Sequence, residues 1–417
     1  MRRAEARLGP LGFVRRAWGA PGLEGNITMI SRRTILKSGG AAAAFAMVGA
    51  PSILRAADTV KVGLSIPITG LQAILGETLL NCYKLAAAEL NAANGIGGRQ
   101  VELFIEDNQT TTKGAIDKAR KLLNEDKVDV VMGTIISPER SATLSVTSKA
   151  KKLFFYPTNF EGGECNRYFV ATGPIPMQQV DPMMPWVAEN LGKTIYVMAS
   201  DYAWPQKMTE AITAAYEKAG GKIIGADYYP FGTTDFGPAF QKIKSLKPDV
   251  VWSMVVGNDA VTQLKQYRSF DIKQPLIAPL DEVFNKDALP PGVAAGTYAP
   301  QPYWMALDNP VNKKFIASFR EKFGQEKMVN GIGEAGYNGL HLYALAAEKA
   351  GSLRDDDVLK ALPTIEFDAP QGKIRVDASN NHTLCHSYVG KAAADGISYE
   401  IVKDFGTIAP VTPYCKL

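Results

Sequence analysis

Few residues of this chain have the types and spacing that catalysis needs. Its 417 residues include three His and four Cys, with no C-x-x-C or H-E-x-x-H spacing to set up a zinc site. No G-x-S-x-G nucleophile motif, phosphate-cradling P-loop or G-x-G-x-x-G dinucleotide signature is expected. His382 and His386 flank Cys385, but packing within a strand region accounts for them more simply than a catalytic pair would. No catalytic residue, metal or cofactor is expected. What the chain offers instead is a set of hydroxyls, aromatic rings and carboxylates in loops: Ser137, Tyr156, Thr158, Tyr202, Trp204, Val256, Asp281 and Glu282. Hydroxyls and carboxylates suit hydrogen bonds to a small polar molecule, and paired aromatics suit a lid that excludes water. Singly, each has a plainer reading. Ser137 is equally a helix cap, and most loop carboxylates are only solvated.

The elements that must position these residues repeat in one rhythm. Val60 to Ile66 reads as a strand, the loop Pro67-Ile68-Thr69-Gly70 follows, and Glu77 to Ala93 reads as an amphipathic helix. Strand Val101 to Glu106, helix Lys113 to Glu125, strand Val128 to Met132, helix Ala142 to Lys151 and strand Leu153 to Tyr156 continue it. The rhythm restarts with strand Thr194 to Met198, helix Gln206 to Ala219, strand Ile223 to Tyr228, helix Ala239 to Leu246, strand Val250 to Val255 and helix Asp259 to Ser269. Short apolar strands separated by helices predict parallel sheets covered on both faces. A helical block, Asn312 to Phe323 and Glu334 to Ala350, has no strands of its own and is expected to pack back on the first half. Gly372 to Thr407 resumes strand-like runs and closes the second. The expected fold is α/β, with two doubly wound lobes and a hinged cleft between them. Lobe 1 is assigned to 58–174 plus about 300–355, and lobe 2 to 175–299 plus about 356–417. In such sheets ligands sit beyond the carboxyl ends of the strands, where all the candidate residues fall.

Composition narrows the function further. At 46% hydrophobic and 21% charged residues the chain has the balance of a folded protein. Residues 1–57 hold nine of the 46 Lys/Arg and two of the 42 Asp/Glu, leaving 37 against 40 and a charge of −3 beyond them. With no basic stripe, a nucleic-acid partner is not expected. The nine cationic residues mark an export segment. Ser31-Arg32-Arg33-Thr34-Ile35-Leu36-Lys37 precedes a weakly apolar stretch from Ala41 to Leu54 and small residues at Ala56 and Ala57. This matches a twin-arginine signal peptide on 1–57, with Met29 the expected start and a periplasmic destination. There Cys82, Cys165, Cys385 and Cys415 could form up to two disulfides in any of three connectivities.

With these loops identified, the chain from about 58 to 410 resembles a type I periplasmic binding protein of the leucine/isoleucine/valine-binding family, closest to its urea and short-chain amide branch. The matching runs include Asn91-Ala92-Ala93-Asn94-Gly95-Ile96-Gly97-Gly98, Tyr156-Pro157-Thr158-Asn159-Phe160-Glu161-Gly162-Gly163-Glu164-Cys165 and Gly173-Pro174-Ile175-Pro176-Met177-Gln178-Gln179. Ser200-Asp201-Tyr202-Ala203-Trp204-Pro205 and Asp368-Ala369-Pro370-Gln371-Gly372-Lys373-Ile374-Arg375-Val376 complete them. The resemblance implies lobes joined by three crossings, ligand contacts at Ser137, Tyr156 and Thr158 from lobe 1, and contacts at Tyr202, Trp204, Val256, Asp281 and Glu282 from lobe 2. It implies a monomeric carrier that captures urea, a short amide or a related small polar solute and hands it to ABC-importer permease subunits. Three departures from the amide sensor of this branch alter the pocket: Ile135 stands for a tyrosine, Asn159 for a proline, and Asp281-Glu282 for threonines. Uptake of a branched-chain or other amino acid, and amide sensing by a regulatory protein, are the alternatives.

Overall fold

The computed structural model describes residues 59–412 together with Cys415 and Leu417. The export segment and its paired arginines lie outside the described residues.

The first half winds β1 (Val60–Ile66), α1 (Ala73–Ala92), β2 (Val101–Asp107), α2 (Thr112–Asn124), β3 (Val130–Gly133), α3 (Ser137–Thr147), β4 (Phe154–Tyr156) and β5 (Phe169–Ala171) into one parallel sheet. The strand order is β2-β1-β3-β4-β5. The strands β1, β3, β4 and β5 are almost wholly buried and apolar, as a sheet covered on both faces requires. Helix α3 begins at Ser137, five residues before the expected Ala142. Pro138 fits the first helical turn, and the Glu139 carboxylate accepts the N–H groups of Ile135 and Ile136 at 3.0 and 2.9 Å. The start is thus fixed by local chemistry in a stretch with no strong apolar period.

After α4 (Pro176–Asn190) the second half runs β6 (Thr194–Ser200), α5 (Ala203–Lys218), β7 (Lys222–Tyr229), α6 (Gly237–Leu246), β8 (Val250–Met254), α7 (Gly257–Ser269), β9 (Leu276–Ile277), α8 (Glu282–Ala288) and β10 (Tyr298–Gln301). Here β7, β6, β8, β9 and β10 lie parallel. The chain then crosses back through α9 (Pro310–Phe323), α10 (Gly331–Ala350) and α11 (Asp355–Ala361). It returns with β11 (Glu366–Ala369), β12 (Gly372–Val376), β13 (Thr383–Ala392) and β14 (Tyr399–Ile408), antiparallel additions to the second sheet. The architecture is therefore α/β with two wound lobes, of five and nine strands.

Helix α10 packs along α1. A Cβ on Gly333 would lie 2.8 Å from Cys82 Sγ, and one on Gly336 would lie 2.5 Å from Leu79 Cδ1. Gly331-Ile332-Gly333-Glu334-Ala335-Gly336 has the G-x-G-x-x-G spacing of a dinucleotide fingerprint, which corrects the expectation that the chain contains none. It follows no strand, and at Gly333 and Gly336 it serves helix–helix approach. Of the four cysteines, Cys165 and Cys415 form a disulfide, while Cys82 and Cys385 are buried and free. The bond ties the loop after β4 to the C-terminal stretch.

Candidate functional site: an inter-lobe cavity

The carboxyl ends of the two sheets face each other across a cavity. From the first lobe, Gly133 turns the chain after β3 with φ +111°, where a Cβ would sit 2.3 Å from the Ser65 carbonyl oxygen. That turn delivers Ile135, Ile136 and Ser137 to the wall. Tyr156 and Thr158 arrive from the end of β4, and their hydroxyls donate to the carbonyls of Ile135 at 2.5 Å and Thr134 at 3.1 Å. Ser137 Oγ donates to Glu161 Oε2 at 2.9 Å. Glu161 is itself clamped by Arg140 through two bonds of 2.8 and 3.0 Å, and Glu164 adds a contact of 3.0 Å to the same guanidinium. Arg140 is 2% exposed and lies over the rings of Tyr156 and Phe160. The loop after β4 is thus locked to α3 by a buried ion pair directly behind the wall.

From the second lobe come Tyr202 and Trp204 at the start of α5 and Val256 and Gly257 at the start of α7. The Tyr202 ring lies 6.3 Å from Trp204 and 5.5 Å from Phe231, which makes an aromatic flank. Gly257 has φ +60°, and a Cβ there would lie 2.9 Å from the Leu71 carbonyl oxygen of the first lobe. The lobes therefore meet at this rim.

Six helices, α1, α3, α5, α7, α8 and α10, place residues of their first turn or cap on the cavity wall. The residues preceding α5 and α7 are Tyr202 and Val256, and no side chain caps these two starts, whereas at α3 the Glu139 carboxylate already takes the Ile136 N–H. Unpaired first-turn N–H groups and helix dipoles favour a bound anion there. Asp281 supplies the opposite charge. It caps α8 by accepting from Phe284 N–H at 2.9 Å, and burial pushes its carboxyl up to about 6. Much of the remaining wall is apolar, including Leu75, Val255, Ala260, Leu280, Phe284 and Ile332.

Seven of the eight sequence-derived candidates share this cavity: Ser137, Tyr156, Thr158, Tyr202, Trp204, Val256 and Asp281. Glu282 is not on the wall. As the first residue of α8 it turns away, accepts from Met305 N–H at 3.1 Å and is pushed up to about 8 by burial. Gln72 and Gln301 also line the wall and were not among the sequence-derived candidates. Gln72 stands two residues beyond the quoted Pro67–Gly70 loop, a signal that could have found it. The His–Cys–His run lies in the β13 region, off the cavity. His382 Nδ1 is 2.7 Å from the Asn380 carbonyl and burial pushes this ring down to about 4, while His386 bonds Tyr388 and Thr407. Among the described residues no cluster of three or more His, Cys, Asp or Glu side chains could hold a metal.

This cavity between wound lobes defines a solute-binding protein, and a family match agrees. The periplasmic binding protein family model matches residues 59–396, and the chain belongs to that family. A Leu/Ile/Val-binding protein homolog 6 from Brucella melitensis biotype 1 is 24% identical over 354 residues, covering 82% of this chain and 90% of that one. A leucine-, isoleucine-, valine-, threonine- and alanine-binding protein of Pseudomonas aeruginosa is 25% identical, covering 80% and 90%. An ABC-transporter solute-binding protein from Rhodopseudomonas palustris BisB5, solved with 3,4-dihydroxybenzoic acid, superposes with a TM-score of 0.76 at 25% identity, over 85% of this chain and 98% of that one. The isoleucine-bound LivJ of Streptococcus pneumoniae shares the fold with a TM-score of 0.74 at 23% identity, over 85% and 100%. The chain is accordingly a non-enzymatic substrate-binding component of an ABC transporter, exported and partnered with permease subunits.

Proposed function

We propose that this protein captures a small amino acid with an apolar or aromatic side chain and delivers it to its importer. The observation that carries this reading is one cavity holding two helix starts without side-chain caps, one buried carboxylate and an apolar wall. The amino acid's carboxylate takes the first-turn N–H groups, its ammonium takes Asp281, and its side chain takes the apolar wall. Ser137, Tyr156 and Thr158 shape the lobe 1 side, while Tyr202, Trp204 and Val256 close the lobe 2 side. Closure is a population shift towards the state that makes both sets of contacts. The names of the Brucella and Pseudomonas relatives support an amino-acid ligand.

Urea or a short amide is the second reading, favoured by the acceptor oxygens of Ser137, Tyr156 and Thr158 whose protons are already committed within lobe 1. Such ligands leave the apolar wall unfilled. A thermal-shift panel of L-amino acids, urea, acetamide and benzoates separates the readings. A true ligand at a hundredfold excess over its dissociation constant stabilises by about 2.7 kcal/mol. Amino-acid hits are expected. Hits only with urea or acetamide would transfer the function to the second reading, and no hit would refute the site. The twin-arginine route belongs to the same proposal: replacing Arg32 and Arg33 by Lys should leave precursor in the cytoplasm, and undiminished export would exclude that route.

A further inference from the structure

The cavity has a hydrogen-bonding polarity that its shape alone does not reveal. Three hydroxyls face it from the first lobe, and each has its only proton committed. Thr158 and Tyr156 donate to backbone carbonyls, and Ser137 donates to a carboxylate held by Arg140. A carbonyl or an ion-paired carboxylate accepts and does not donate, so none of these bonds can reverse. What the hydroxyls turn towards a ligand is lone pairs.

Gln72 extends this pattern. It is the residue that precedes α1, is 1% exposed, and lines the cavity. Its side chain makes no capping bond, and Oε1 is buried without a hydrogen-bond partner. A buried carbonyl oxygen left unpaired is costly, and an N–H brought by a ligand would relieve that cost. The chain is held there tightly: Asp107 accepts from Ile68 N–H, Thr69 N–H and Thr69 Oγ1, and Thr110 Oγ1 accepts from Gln72 N–H at 3.1 Å. On the second-lobe wall, the Trp204 indole N–H is also buried without an acceptor. Side-chain acceptors thus crowd the first-lobe wall, while the second-lobe wall residue Trp204 holds an unpaired donor.

We propose that Gln72 is a specificity-determining residue whose side-chain oxygen receives an N–H of the ligand, so that the cavity selects nitrogen-bearing solutes over nitrogen-free acids of the same shape. This rests on the amino-acid reading above and adds to it a residue and a rule of exclusion. An α-ammonium has three protons to distribute between Asp281, Gln72 and a hydroxyl lone pair. A nitrogen-free acid leaves Gln72 and Asp281 facing carbon, and discrimination against an analogue lacking a needed donor is large because buried polar groups lose their partners.

The test is calorimetric titration of the full mature protein with two matched pairs, L-leucine against 4-methylpentanoate and L-phenylalanine against 3-phenylpropanoate. The wild type should bind the nitrogen-bearing member of at least one pair at least tenfold more tightly. Gln72→Met, which keeps the shape and removes the acceptor, should weaken that member at least tenfold. Gln72→Glu, which has acceptor oxygens and no amide N–H, should restore it. Thermal melting of each variant establishes folding, and the wild-type pairs carry the test even where a variant melts early. Equal affinity within both pairs, or an unchanged affinity in Gln72→Met, overturns the Gln72 proposal and leaves the carboxylate site standing. Loss in Gln72→Glu as deep as in Gln72→Met overturns the acceptor role. Failure of all four compounds to bind wild type overturns both this proposal and the amino-acid reading beneath it.

Discussion

Arg140 shows how a residue with no place on the cavity wall can decide what the wall does. Its guanidinium is 3% exposed at the side chain and bonds both Glu161 and Glu164. Glu161 in turn fixes the direction of the Ser137 hydroxyl. Replacing Arg140 by Met leaves Glu161 nearly buried with the Ser137 hydroxyl and no cationic partner, and breaking such a pair costs about 3 kcal/mol or more. Chemical denaturation should show that loss. Gly257 makes a different demand. Its positive φ and the nearby Leu71 carbonyl leave no room for a Cβ at this rim. Gly257→Ala should weaken ligand binding about tenfold or more by opposing closure, with a smaller effect on melting of the ligand-free protein. Unchanged calorimetric affinity would place the rim contact outside the closing motion.

At the scale of elements, much of the site could be read from the strands. The runs ending near Met132, Tyr156, Met198 and Val255 are short and apolar, so their carboxyl ends and the loops beyond them were legible. Asp281 and Glu282 were not separable by that reasoning, because which of the two faces the cavity depends on which caps α8. Asp281 took the cap, and Glu282 turned towards Met305. Gln301 was hidden because β10 has four residues, one of them Pro300, and leaves no period to detect. The fingerprint-like glycines of α10 can be told apart from a nucleotide loop only once α1 is seen against them. The disulfide partners could not be chosen among three connectivities, since Cys165 and Cys415 are 250 residues apart and meet only in the folded chain.

For the whole molecule, the buried carboxyl groups set a pH dependence. Burial pushes Glu139 and Glu334 up to about 7 and Glu282 up to about 8. Between pH 6.5 and 8.5 these groups bind protons in the folded chain that the unfolded chain has already released. Folded stability therefore falls as pH rises through that window, by about 3 kcal/mol. The ligand-free protein should melt higher at pH 6.5 than at pH 8.5 by calorimetry, and the reverse order would contradict these burials. His382 acts in the opposite sense only at lower pH, because burial lowers it to about 4 and the unfolded chain gains that proton first. Ligand binding has its own window: protonation of Asp281 below about 6 removes the ammonium receptor, so amino-acid affinity should weaken there and stay level above it.

The most direct measurement of the central claim is isothermal titration of the mature protein with the common L-amino acids, urea and acetamide, followed by recovery of the solute. One solute bound per chain, with an amino acid tightest and returned unaltered, is the result this site predicts. Absence of binding by every amino acid, or steady consumption of any solute, would contradict it.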